Sequence, residues 1–257
     1  MTSEDRSERR GSRVPRRLPR AKRLALWVLA LLLLAVIVFL SWASVPMAAE
    51  RGPWAAVRAD PRIRVTETGD GVALIPSSVP TGVGLVFLAG ARVDPEAYAA
   101  KLAPLVDAGV TVVIARPTLN FAIIESRPLS TFTALAPGVR KWFVGGHSLG
   151  GVRACQYAHD DPSVGGLVLF GSYCSVDLSR SSLPVLSVAG SRDGLSTPAK
   201  IAANARLLPA SARFVTIAGA DHAMFGDYGA QPGDNTATIS DAEMRRELTA
   251  AVLPFLG

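Results

Sequence analysis

Residues 139–161 read VRKWFVGGHSLGGVRACQYAHDD. An apolar run leads into two glycines, then histidine and serine, then Leu149, two further glycines and a stretch with helical character. Gly146-His147-Ser148-Leu149-Gly150 fits G-x-S-x-G, set between a strand and a helix that opens near Leu149. A serine at such a turn sits on strained backbone that thrusts its hydroxyl into the open. Glycines two positions to either side remove Cβ atoms that would collide with neighbouring backbone. Cradling a phosphate is the competing use of a glycine turn. It calls for G-x-G-x-x-G or G-x-x-x-x-G-K-[ST], and neither occurs at 145–151.

Working outward, short apolar runs alternate with amphipathic segments. VGLVFLAG is followed by DPEAYAAKLAPLVDAG and VTVVIA; past the serine come VGGLVLFG, LPVLSVAG, PAKIAANARLL, ARFVTIAG and DAEMRRELTAAVLPFL. Near-continuous apolar strands separated by helices predict an α/β fold, a mostly parallel twisted sheet covered by helices on both faces. The folded domain is expected over residues 63–257. Open sheets of this kind bind ligands at the carboxyl edge of their strands. Five strand ends fall at Ala89-Gly90-Ala91-Arg92, Arg116-Pro117, Gly145 to Ser148, Gly190 to Asp193 and Gly219 to His222. A serine, an aspartate and a histidine therefore lie on three separate strand-end loops.

A serine hydroxyl needs a base to take its proton. The histidines are His147, His159 and His222. His147 adjoins the serine on the turn, where its side chain should diverge, and His159 ends a helix beside Asp160 and Asp161. His222, after the last apolar strand, is the candidate base. The base needs a carboxylate to fix its tautomer. Asp193, just before a helix that Thr197-Pro198 should open, is the first candidate; Asp177 is second, and Asp221 is too near His222 in sequence to turn back. The order Ser148, Asp193, His222 is that of α/β-hydrolases. Backbone amides of Leu149 and of the loop at Gly90 and Ala91 are the expected oxyanion donors. Arg92, Asn120, Met224 and Phe225 are candidate pocket residues, with RPTLNFAIIESRPLS (116–130), Met224 and Phe225 as the main roof.

On the motifs VFLAGARVDPEAYA, GGHSLGG, AGSRDGLST and GADHAMFGDYGAQPGDNTATIS, the region from about Gly82 to Phe255 resembles the α/β-hydrolase superfamily. Within it the chain is most similar to a compact, membrane-anchored or exported group of dienelactone-hydrolase-like proteins. The resemblance implies Ser148 as nucleophile, Asp193 as acid and His222 as base, with no metal and no organic cofactor. Where the dienelactone hydrolases usually carry cysteine this chain has Ser148, and an epoxide hydrolase or dehalogenase would want aspartate there. Only Gly171 to Leu183 separates VGGLVLFG from PVLSVAG, which leaves no room for a lid domain. The expectation is a shallow serine esterase site for a small or surface-accessible acyl substrate. The alternative is a catalytically silent, membrane-anchored binding domain that keeps the fold. The loop 226–240 is longer than a return to the last helix requires and has no assigned chemistry.

The ends of the chain add location. Residues 1–23 hold nine Lys and Arg against three Asp and Glu, which accounts for the whole net charge of +6. No basic face remains on the folded part, so no nucleic-acid partner is expected. Leu24 to Leu40 is an unbroken apolar run. Residues 24–43 are expected to anchor the chain in a membrane, with 1–23 as a cytoplasmic tail and the domain outside; a cleaved signal peptide and secretion are the alternative. Residues 44–62 read as a juxtamembrane linker. Cys155 and Cys174 could form one bridge in an exported domain or remain as buried thiols.

Overall fold

A computed structural model describes residues 19–257; most of the basic tail, residues 1–18, lies outside the described part. Helix α1 (Arg20–Ala43) is apolar on every face and exposed along nearly its whole length. Its 24 residues rise about 36 Å, enough to cross a hydrocarbon core of about 30 Å. By length and composition it is a membrane-span or signal candidate. The body of the protein is a separate unit, Ala43–Gly257.

That body is built on an eight-stranded sheet: β1 (Ile63–Glu67), β2 (Gly71–Pro76), β3 (Val83–Leu88), β4 (Thr111–Ala115), β5 (Lys141–His147), β6 (Leu167–Phe170), β7 (Val185–Gly190) and β8 (Arg213–Ile217). Their spatial order is β1-β2-β4-β3-β5-β6-β7-β8. β1–β2 and β2–β4 pair antiparallel, and the other neighbours pair parallel. Central strands buried on both faces explain the uninterrupted apolar runs. Leu85, Phe87, Val112 and Ile114 enter one core, while their neighbours Val86, Leu88, Val113 and Ala115 enter the other.

The first core packs α2 (Arg51–Ala59), α3 (Ala99–Asp107) and α7 (Asp241–Leu256) through residues such as Val57, Leu102, Leu105, Leu248 and Val252. α7 starts on a capping box in which Ser240 and Glu243 satisfy each other's backbone amides. The second core packs α5 (Leu149–Asp160) through Ala154, Cys155 and Tyr157, with Phe132 of the short α4 (Ser130–Thr133) and Leu129 just before it. α6 (Pro198–Asn204) starts at Thr197, whose hydroxyl caps the Lys200 amide.

One feature departs from the sequence reading, and one alternative left open there is decided. Residues 44–62 are part of the body: Met47 bridges Val93, α2 lies within the segment, and Val57 is buried in the core. Cys155 on α5 and Cys174 after β6 are joined in a disulfide.

Candidate active site

The site forms where β5, β7 and β8 end. Ser148 takes φ +52° and ψ −125° in the single step between β5 and α5, a conformation that costs energy for any residue with a Cβ. Crowding around it explains the glycines. A Cβ at Gly146 would lie 2.4 Å from the Gly150 carbonyl carbon, and one at Gly150 would lie 2.2 Å from Leu88 O. The turn is further held by Ser172, whose hydroxyl donates to Ser148 O at 2.7 Å, and by the Ser148 amide, which donates to Phe170 O at 3.1 Å.

Asp193 follows β7 and is buried. Its Oδ1 accepts from the amides of Leu195 at 2.9 Å and Ser196 at 2.7 Å, which leaves Oδ2 aimed at His222 Nδ1, 2.8 Å away. His222 is wholly buried, and its Nε2 has no hydrogen-bond partner among the described residues. Gly171 lets the pair sit against the end of β6: at φ +48°, a Cβ there would meet Asp193 Oδ2 at 2.9 Å and His222 Nδ1 at 3.2 Å. The other acid candidates are engaged elsewhere. Asp221 accepts from the amides of Met224 and Ala237, and Asp177 closes an exposed turn with Ser179. His159 pairs with Asp160 at the exposed end of α5.

His147 differs from expectation. Its side chain turns inward rather than away, and its ring centroid lies 4.3 Å from that of His222 and 5.5 Å from that of Phe225. Burial, then the neighbouring His222, push its pKa well below the ordinary imidazole value, so the ring is neutral. The Gly90 amide donates to Tyr98 Oη at 2.9 Å, and Tyr98 Oη lies 2.9 Å from His147 Nδ1. Burial also raises the Tyr98 pKa, keeping the phenol protonated. Tyr98 Oη and His147 Nδ1 thus share a hydrogen bond whose direction follows the tautomer of the neutral ring. No local signal in the sequence marks Tyr98, which reaches the turn from 49 residues away.

This network changes the expected donor set. The Gly90 N–H is already used, whereas the amides of Ala91 and Leu149 make no hydrogen bond among the described residues. The expected pocket also rearranges. Arg92 Nη2 donates to Val45 O and Asn120 Nδ2 to Ala43 O, so both hold the segment after α1. Phe225 is fully buried, stacked 5.5 Å from Phe170 as a floor under His147, so it does not roof the mouth. Met224 is partly buried against the first core.

Loop 226–240 acquires a role that its sequence did not reveal. Asp234 Oδ2 accepts from Ala223 N at 2.9 Å, one residue past His222, and Oδ1 accepts from Gly194 N at 2.8 Å, one residue past Asp193. Asn235 Nδ2 donates to Arg192 O at 2.8 Å. One side chain thus ties together the loops that carry the aspartate and the histidine. Among the described residues no group of His, Cys, Asp and Glu has an arrangement that holds a metal ion.

Solved structures with this fold span most of the body. An esterase domain from a Rhodothermus marinus protein is 13% identical, covering 75% of this chain and 98% of its own, with a TM-score of 0.56. A Thermus thermophilus protein is 17% identical over 76% of this chain and 98% of its own, at 0.54. A membrane phospholipase A described as a bacterial virulence factor is 15% identical over 91% of this chain and 99% of its own, at 0.52. At such identities the likeness concerns the fold. No curated protein matches the sequence. The family model for the alpha/beta hydrolases matches residues 84–246, from β3 into α7 and across all the loops described above. The chain belongs to the alpha/beta hydrolase family.

Proposed function

We propose that this hydrolase is a serine esterase, cleaving an acyl bond through Ser148, His222 and Asp193. One observation carries the reading: at the carboxyl edge of the sheet that also bears a serine on a strained turn, a fully buried histidine has its Nδ1 held by Asp193 at 2.8 Å and its Nε2 left without a protein partner. His222 Nε2 takes the proton as Ser148 Oγ bonds to the acyl carbon, and Asp193 stabilises the imidazolium that results. The amides of Ala91 and Leu149 receive the developing oxyanion, with Leu149 at the positive end of α5. The tetrahedral intermediate collapses, the leaving alcohol takes the proton from His222, and water then releases the acyl group from Ser148 by the same steps. The chemistry draws on no metal or organic cofactor. The esterase domain and the phospholipase among the structural neighbours act on acyl esters by name, which agrees with this reading.

We further propose that α1 anchors the protein with its N-terminus in the cytoplasm and the catalytic body outside. The nine basic residues preceding the apolar run support this orientation, as does the Cys155–Cys174 disulfide, a bond typical of oxidising compartments. Only a short loop joins β6 to β7, so the substrate is a small or surface-accessible ester. The mechanism is tested by treating detergent-solubilised protein with a fluorophosphonate probe. Labelling is expected in the native chain, none in Ser148→Ala and much less in His222→Ala; folded protein that takes no label would sink the proposal.

A further inference from the structure

Ala43 ends α1, begins the catalytic body and is itself buried. From there the chain runs as a strap beside the loop that carries Ala91, the lip of the proposed site. Ala43 O accepts from Asn120 Nδ2 at 3.0 Å, and Val45 O accepts from Arg92 Nη2 at 2.6 Å. Met47 N donates to Arg92 O at 2.6 Å, and Met47 O accepts from Asp94 N at 3.0 Å. The Arg92 amide donates to Asn120 O at 2.7 Å, joining the strap to the roof loop as well. Ala91, the proposed oxyanion donor, lies between Arg92, fastened to this strap, and Gly90, fastened through Tyr98 to the residue before Ser148. Whatever direction α1 takes, its last residue is pinned to the lip of the active site.

The lip is also apolar. Val45 is 64% exposed, Ile124 50%, and Leu119 and Ile123 41% each. Beyond residue 42, the other described large hydrophobic residues this exposed are Val79 and Phe214. Four of six therefore gather on the strap and on the loop hydrogen-bonded to it. Unpaired backbone groups are costly near hydrocarbon, and in the strap Ala43 O, Val45 O, Met47 N and Met47 O are paired with Asn120, Arg92 and Asp94.

We propose that Val45, Leu119, Ile123 and Ile124 form an interfacial collar, and that the substrate is an acyl ester of a membrane-resident amphiphile. The ester enters Ser148 laterally from the bilayer rather than from water. This rests on the serine-esterase reading above. The ester C–O bond breaks as the acyl group passes to Ser148 Oγ, the lipid alcohol leaves with the proton from His222, and water releases a fatty acid. A collar held at the surface by a covalent anchor meets lipid at high effective concentration without a separate binding step.

The test uses the full chain in phosphatidylcholine vesicles, comparing fatty-acid release from the bilayer with hydrolysis of 4-nitrophenyl butyrate in the surrounding water. A Gly/Ser insertion of about twelve residues between Trp42 and Ala43 lets the body move about 20 Å from the surface. Fatty-acid release should then fall about tenfold while butyrate hydrolysis changes less than about twofold. Val45→Asp should act in the same direction, with folding checked by thermal melting. Butyrate hydrolysis without fatty-acid release by the native chain would overturn the proposal, as would equal effects of both changes on the two substrates. Failure of the native chain on both substrates would instead remove the esterase reading, and this inference with it.

Discussion

The His147 ring lies 4.3 Å from that of His222, and two imidazoles so close would repel if both were charged. His147 meets this by staying neutral: burial and the neighbouring ring depress its pKa, and a hydrogen bond with the Tyr98 hydroxyl holds its Nδ1. The transient positive charge of the proposed reaction is thus left to His222, which faces Asp193. Stability carries the same signature. A histidine whose folded pKa is lowered contributes stability that is fully present above its unfolded value, about 6.5, and is lost as pH falls below it, because the unfolded chain then binds a proton that the native ring refuses. The melting temperature should therefore decline from pH 7.5 to 5.5, and less steeply in His147→Gln, where the amide can still hydrogen-bond with Tyr98. Parallel slopes in the two proteins would show that His147 is not the group responsible. The inward turn of this ring was not legible in the sequence, because it depends on the strained torsion at Ser148 and on a tyrosine far away in the chain.

Among the elements, the strand-and-helix alternation from β3 to α7 was legible because strands covered on both faces must be apolar throughout, and helices between them must show one apolar stripe. The edge was less so. β1 is largely exposed, and α2 is amphipathic but spans only nine residues that include Gly52 and Pro53, with a single buried residue, so neither marks itself as a core element. The loop 226–240 hid its role for a different reason: its function lies in hydrogen bonds to backbone amides, which carry no residue identity. Asp234 holds Gly194 N and Ala223 N, so the loops bearing Asp193 and His222 are fixed relative to each other by a group that touches neither. Removing it leaves those two amides without their acceptor and lets the acid–base pair drift. Asp234→Ala should lower kcat on a soluble ester by about a hundredfold, with a smaller change in KM, since a displacement of about 1 Å has that scale of cost. An unchanged kcat in a folded variant would mean that the 2.8 Å bond between Asp193 and His222 suffices alone.

At the scale of the whole molecule, charge and chemistry are segregated. The net +6 resides in residues 1–23, while the body carries equal numbers of basic and acidic residues, 18 of each. A basic tail ahead of an apolar helix favours retention of the tail in the cytoplasm, and in the proposed orientation the body follows the helix outward. The disulfide fits that side of the membrane. It closes a loop of about 20 residues, for which the chain-entropy description gives about 3 kcal/mol, and it joins the helix behind Ser148 to the loop whose Ser172 hydroxyl steadies the turn. In a reducing compartment that contribution would be lost. Both arguments converge on one measurement. In intact cells, a protease added outside should remove the catalytic body and spare a tag fused to the N-terminus, and Cys155 and Cys174 should react with a thiol reagent only after reduction. Full protection of the body, together with free thiols, would reverse the proposed orientation and put Ser148 on the cytoplasmic face.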